Sequence, residues 1–242
     1  MEDGMIQYNG EKEKAGAERG TISMLNGIQG VIFDLDGTLI DSMYVWGEID
    51  DEYVTKRLHL PMPSDLRDDI EGMRFEEVSY YFRERFHIEK SIEEIMQEWT
   101  DMAYDKYAGE IKTKPGTREF LEELKCRKLR IGIATSNSRE LLHVVLKSNG
   151  IEDYFDAFCS GDDVARSKPE PDVYLNAACS MNVLPEKCLV FEDLPQGIKA
   201  GKNAGMTVCA VADDFSVSQT DYKKEIADYY IDSFYDILNT RE

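Results

Sequence analysis

The sequence has no apolar run approaching the roughly 20 residues that cross a bilayer, and its first residues lack the basic-then-apolar order of a secretory signal. A membrane partner and export are therefore not expected, and the chain reads as a soluble cytoplasmic protein. It is also short of positive charge: 28 Lys and Arg face 48 Asp and Glu, for a formal net charge of −20. Such a surface repels a phosphate backbone, and no stripe of Lys and Arg interleaved with aromatics offsets it, so nucleic acid is not an expected partner. An anionic small molecule can bind only where a cation or a few placed basic groups reverse the potential locally. The five cysteines, Cys126, Cys159, Cys179, Cys188 and Cys209, are odd in number and scattered, with no C-x-x-C pair and no histidine at zinc-ligand spacing. That argues against a disulfide framework or a zinc site, and the five read as buried thiols in a reducing compartment. Histidine is scarcer still. His59, His87 and His143 read as ordinary residues of helices or their ends.

What is present is a chain of 242 residues with 42% hydrophobic content, enough for one large domain or a domain with an insertion. Residues 1–26 are polar, Gly-rich and mixed in charge, and a disordered leader is expected there, with Met24 a candidate natural start. From Gly27, short apolar runs alternate with helical patterns. "GVIF", "LRIGIAT", "CLVFED", "TVCAVA" and "DYYI" read as strands. Among the helices, "SRELLHVVLKSNG" offers Ser138 as N-cap, an apolar stripe of Leu141, Leu142, Val145 and Leu146, and Gly150 as its stop. "PQGIKAGKNAG" begins near Pro195 and stops at Gly205. The alternation predicts an α/β fold, a doubly wound parallel sheet with helices on both faces.

Between the first and second strands, residues 43–112 contain three helical patterns and no convincing strand. The expected organisation is a core of 27–42 and 113–242 with a small helical domain of 43–112 over the carboxyl ends of the strands, where ligands of open parallel sheets bind.

The first strand ends in "DLDG". Asp34 and Asp36 lie two apart and can converge, and two ionised carboxylates in a partly desolvated place repel unless a cation lies between them. A hard divalent ion answers this, and Mg²⁺ fits the carboxylate preference. Glu192 and Asp193 close a second apolar strand in the same way, so three or four carboxylates gather at adjacent strand ends. Thr135, Ser136 and Asn137 follow a third strand with a hydroxyl and a turn of backbone N–H groups suited to phosphate oxygens. Lys168, in "RSKPEPD", sits in a loop stiffened by Pro169 and Pro171.

Four motifs in this order, "DLDGT" at 34–38, "TSN" at 135–137, "SKPEPD" at 167–172 and "FEDLPQGIKAGKNAGM" at 191–206, resemble the haloacid dehalogenase superfamily, in its branch of β-phosphoglucomutases and small-molecule phosphatases. The insertion at 43–112 matches that family's cap in place and size. The resemblance implies Asp34 as the nucleophile that forms an aspartyl phosphate and Asp36 as general acid and base. It implies Mg²⁺ held by the Asp34 carboxylate, the Asp36 carbonyl and Asp193, with Glu192 acting through a bound water. Lys168 and Thr135 would cradle the phosphoryl group with Ser136 and Asn137, and Gly37 would let the backbone turn beneath it.

The expected activity is hydrolysis of a small phosphomonoester, a sugar phosphate or similar metabolite, by a monomer. A β-phosphoglucomutase-type phosphomutase is the alternative. Two departures weigh against it: Trp46 stands where such mutases carry a hinge histidine, and Arg74, the candidate for gripping a second phosphate, is displaced by one residue and lacks a lysine partner. A non-catalytic phospholigand-binding module is a further alternative, which the paired Asp34 and Asp36 argue against, and a haloacid dehalogenase proper would lack the second aspartate.

Overall fold

The structure is a computed structural model and describes residues 24–239. A parallel sheet of six strands forms its centre: β1 (Gly30–Phe33), β2 (Arg130–Ala134), β3 (Ala157–Cys159), β4 (Cys188–Glu192), β5 (Thr207–Val211) and β6 (Tyr229–Ile231), in the order β3-β2-β1-β4-β5-β6. The chain builds outward from β1 through β2 to β3, then crosses to the other side of β1 and runs through β4 to β6. The strand order thus reverses around β1, and the crevice for a ligand in such sheets opens beyond the carboxyl ends at that point. Five of these strands match the expected runs. β3 was not expected, because three residues at a sheet edge carry no periodicity to read.

Both faces of the sheet are covered, which is why its strands are mainly apolar, with Arg130, Glu192 and Thr207 at strand ends. Side chains alternate across the sheet: Val31 and Phe33 belong to one buried cluster and Ile32 to the other. Helices α5 (Thr117–Cys126), α6 (Arg139–Ser148) and α10 (Tyr235–Leu238) pack on the first face, where the Phe33 and Phe191 rings stack at 5.2 Å and Phe120 and Phe234 at 5.3 Å. Helices α7 (Asp172–Ser180), α8 (Pro195–Asn203) and α9 (Thr220–Ile226) belong to the second. Ser138 caps α6 by accepting from the Leu141 amide, and the expected stripe on that helix is buried. Cys159, Cys188 and Cys209 are buried as expected, but Cys126 and Cys179 are exposed. Each of these two lies at the C-terminal end of its helix with its side turned away from the sheet, a position that a count of thiols does not reveal.

Between β1 and α5 lie four helices: α1 (Met43–Asp51), α2 (Leu66–Ile70), α3 (Phe75–Phe86) and α4 (Ile92–Asp105). α1 and α4 continue as π-helical turns, Glu52–Arg57 and Lys106–Glu110. Ser91 starts α4 with a capping box, accepting from the Glu94 amide at 3.2 Å while the Glu94 carboxylate accepts from the Ser91 amide at 2.8 Å. Tyr53, Phe75, Phe82 and Trp99 form an aromatic centre for these helices, with Phe82 and Trp99 at 4.8 Å. Two adjacent linkers join them to the sheet: the Lys114 amide donates to the Leu39 carbonyl at 3.0 Å and the Asp41 amide to the Lys112 carbonyl at 2.9 Å.

The leader expected over 1–26 lies outside the described residues except for 24–26. There Met24 and Leu25 are buried in the core, so those two residues do not share the polar character of what precedes them. Among the described residues no helix is long and apolar enough to cross a membrane.

Candidate active site

The register of the sheet assembles the site. Phe33 pairs with both Ile133 and Phe191, so Asp34 emerges beside Glu192 on one side and next to the end of β2, one residue before Thr135, on the other. Asp34, Glu192 and Asp193 are buried, and their carboxylates lie within 4.8 Å of one another. Lys168 reaches into this group from the loop before α7: its Nζ donates to Asp34 Oδ1 and to Glu192 Oε1, both at 2.6 Å. Glu192 also accepts from Tyr174 Oη at 3.1 Å and from the Leu194 amide at 2.8 Å. Its oxygens are therefore largely spent on anchoring Lys168 and the start of α8. Thr38 Oγ1 donates to Asp193 Oδ1 at 2.8 Å, and Ser216 Oγ to the Asp193 carbonyl at 3.1 Å.

Two glycines make this approach possible. Gly37 has φ +79°, and a Cβ there would lie 2.4 Å from Asp193 Oδ2. At Gly197 a Cβ would fall 1.6 Å from Glu192 Oε1.

Were all three carboxylates ionised, the single ammonium of Lys168 would leave two negative charges among them in a buried place. Burial, reinforced by Glu192 and Asp193, pushes the Asp34 carboxyl well above the usual carboxylate range despite Lys168. Burial, with Glu192 and Asp213, pushes Asp193 up to about 8. Burial also opposes the Lys168 charge, but the Asp34 and Glu192 carboxylates outweigh it and hold its pKa well above the ordinary value. Asp193 Oδ2 is buried with no hydrogen-bond partner among the described residues. An orphaned carboxylate oxygen, an all-oxygen donor set and a double charge deficit fit a hard divalent cation.

The Asp36 side chain is not part of this cluster. Its Oδ1 accepts from Ser42 Oγ at 2.6 Å and from the hydroxyl of Tyr107, and its Oδ2 accepts from Asn137 Nδ2 at 3.0 Å. Trp46 Nε1 donates to Tyr107 Oη at 2.8 Å, which fixes the phenol in turn. Tyr107 lies on the π-helical turn after α4, so the inserted helices hold the second aspartate of "DLD". Sequence reasoning missed Tyr107 and Ser42. Tyr107 sits four residues after buried Ala103 and reads as another core aromatic, whereas its hydroxyl contact spans 71 residues of sequence.

The remaining expected residues divide. Thr135, Ser136 and Asn137 line the cleft with Asp34, Asp36, Lys168 and Glu192. Thr135 Oγ1 accepts from the Asn137 amide at 3.0 Å, and the Asn137 side chain is engaged with Asp36 rather than left free for phosphate. Arg74 is not brought to the cleft: its Nη1 donates to the Val164 carbonyl at 2.8 Å and the Gly161 carbonyl at 3.4 Å, tying the start of α3 to the loop after β3. Its nearness to the position where the resembling mutases carry a basic cap residue was what made it a candidate.

The "Phosphorylated carbohydrates phosphatase" of Thermotoga maritima is 32% identical over 179 residues, covering 74% of this chain and 82% of that protein. Hexitol phosphatase B of Escherichia coli (strain K12) is 31% identical over 182 residues, covering 74% and 81%. The crystal structure of a β-phosphoglucomutase from Clostridium difficile superposes with a TM-score of 0.71 at 24% identity, covering 86% of this chain and 92% of that one, a likeness of fold. Residues 31–211 match the model of the haloacid dehalogenase-like hydrolases, and with the sheet, the strand-end carboxylates and Lys168 in place, the chain belongs to that family.

Proposed function

We propose that the protein is a cytoplasmic phosphatase that hydrolyses a small phosphomonoester through an aspartyl-phosphate on Asp34. The observation that carries this is Lys168 Nζ at 2.6 Å from both Asp34 and Glu192, beside the unpartnered Asp193 Oδ2. That arrangement suits a nucleophilic carboxylate and the charge compensation a phosphate dianion requires.

In the proposed reaction the Asp34 carboxylate attacks phosphorus, the P–O bond to the leaving alcohol breaks, and Asp36 gives its proton to the departing oxygen. A water then attacks phosphorus while Asp36 takes back a proton, the acyl–phosphate bond breaks, and inorganic phosphate leaves. Lys168 holds the attacking oxygen and offsets phosphoryl charge, and the Thr135 and Ser136 turn faces the transferred group. Mg²⁺, held by Asp34 and Asp193 with the Asp36 carbonyl and Glu192 nearby, would neutralise phosphoryl oxygens when bound. The helical insertion at 43–112 acts as a cap that holds Asp36 through Tyr107 and closes over the leaving group.

Relatives named for carbohydrate and hexitol phosphates support the phosphomonoester class. Arg74, committed to the Gly161 and Val164 carbonyls, is not placed to grip a second phosphate, which supports hydrolysis over the mutase alternative. The test is phosphate release from a panel of monoesters with and without Mg²⁺, for the native protein and Asp34→Asn. Release that needs both metal and Asp34 is expected. Isomerisation of β-glucose 1-phosphate to glucose 6-phosphate with a bisphosphate primer, without net phosphate release, would replace the phosphatase with the mutase.

A further inference from the structure

The cleft beyond the phosphate end is a cavity of about 310 Å³ between α1, α2 and the sheet's carboxyl edge. Its walls are mainly apolar, with the aromatic residues Trp46, Phe75, Trp99 and Phe215 among them. A polyol needs many hydrogen-bonding partners, because each desolvated hydroxyl left unpaired costs binding energy. The charged residues lining this part of the cleft are Asp50, Arg67 and Glu71. Arg67 is committed to Phe215, donating to its carbonyl and lying 4.6 Å from its ring centroid, and Glu71 accepts from Gln219 Nε2 at 2.7 Å.

The Asp50 carboxylate has no hydrogen-bond or ion-pair partner among the described residues. Burial alone pushes its carboxyl up to about 7, with no basic side chain offsetting it. Met43, Trp46, Gly47 and Asp50 all line the cavity, and their spacing of three, four and seven places them along one face of α1. Met43 adjoins Ser42, whose hydroxyl is bonded to Asp36, so α1 starts at the reacting end. Seven residues at 1.5 Å rise put Asp50 about 10 Å farther along the helix axis.

We propose that the cleft selects a phosphomonoester whose leaving alcohol is an elongated apolar or aromatic body tipped by an ammonium group, which pairs with Asp50. The aromatic walls suit such a body twice over, through apolar contact along its length and through attraction of a cation by their ring faces. The negative field of the whole chain favours a positively charged tip in the same place. The inference rests on the phosphatase reading above and narrows its substrate class away from neutral sugars.

The test compares three esters on the full chain with Mg²⁺: 4-(2-aminoethyl)phenyl phosphate, its uncharged analogue 4-ethylphenyl phosphate, and glucose 6-phosphate. The aminated ester is expected to show a kcat/KM at least fivefold above the ethyl analogue and above glucose 6-phosphate. In Asp50→Asn the preference for the aminated ester is expected to vanish. A ratio below fivefold in the native protein, a preference that survives Asp50→Asn, or faster turnover of glucose 6-phosphate would overturn the proposal. The native ratio needs no variant, so it decides even if Asp50→Asn fails to fold. If none of the esters is hydrolysed, the phosphatase reading fails separately. Calorimetric titration of the two aryl phosphates then decides the pairing by the same fivefold criterion in affinity and its loss in Asp50→Asn.

Discussion

Replacing Lys168 with methionine removes the ammonium that pairs with both Asp34 and Glu192. The three side chains are 5%, 9% and 2% exposed, so water cannot take over its role. Methionine is unbranched and fills much of the same space, which leaves the electrostatic loss dominant. Removing one partner of a buried pair costs about 3–5 kcal/mol. Because one ammonium here serves two carboxylates, the upper part of that range applies, about 4–5 kcal/mol. At roughly 2–4 °C per kcal/mol for a domain near this size, Tm falls by about 8–20 °C.

The pH dependence has a definite sign. An acid whose pKa is higher in the folded than in the unfolded state lowers stability progressively as pH rises above the unfolded value, and the loss is complete above the folded pKa. Asp34 is already held well above the ordinary range by burial, and Asp193 lies up at about 8. Without Lys168 the Asp34 carboxyl rises further. Calorimetric scans in EDTA are therefore expected to show the deficit of Lys168→Met largest at pH 8 and much reduced at pH 5, where the folded protein takes up protons. A variant within 1 °C of the native protein at pH 8, or a deficit equal at both pH values, would refute the reasoning.

Gly37→Ala meets both a left-handed φ and the Asp193 carboxylate at 2.4 Å; a stability loss of about 1–3 kcal/mol is expected, with Mg²⁺ affinity weakened more than tenfold by calorimetric titration. Tyr107→Phe deletes the hydroxyl that holds Asp36. Loss of a hydrogen bond to a charged group, about 1.5–3 kcal/mol, is expected to lower kcat by about tenfold or more with KM within twofold, measured by steady-state phosphate release. Asp50→Asn is expected to raise Tm at both pH values but more at pH 8 than at pH 5, since the native carboxyl is raised from 3.8 to about 7 and its burden on the fold begins above the unfolded value and is complete only above the folded one. At 1.36 kcal/mol per tenfold change in proton affinity the ceiling is about 4 kcal/mol, and a half-buried group retains about 1–2 kcal/mol of it.

The sheet was legible because its main strands are continuous apolar runs that end in acids or turn residues, a pattern that follows from being covered on both faces. β3 and α2 were not, since three and five residues carry too little periodicity to separate from a loop. Asp34, Glu192 and Asp193 stood out for a different reason: like charges at the ends of buried strands conflict with folding unless something compensates them, whereas Lys168 became a candidate only through the family resemblance of its motif. The surroundings of Asp36 were hidden, because Tyr107 and Asn137 reach it across 71 and 101 residues, distances over which no local pattern reports. Arg74 was a candidate from an approximate family position alone, which does not report that its guanidinium donates to backbone carbonyls on another loop. The exposed Cys126 and Cys179 likewise depend on which way a helix end faces the sheet.

Whether Asp34 carries the phosphoryl group is decided most directly by quenching the enzyme in acid during turnover of a hydrolysed ester with Mg²⁺ and locating the modification by mass spectrometry. One phosphoryl group on the peptide containing Asp34, absent from Asp34→Asn and lost on incubation at neutral pH, is the expected result. A phosphoryl group on any other residue, or rapid turnover with no covalent species on Asp34 at any quench time, would contradict it.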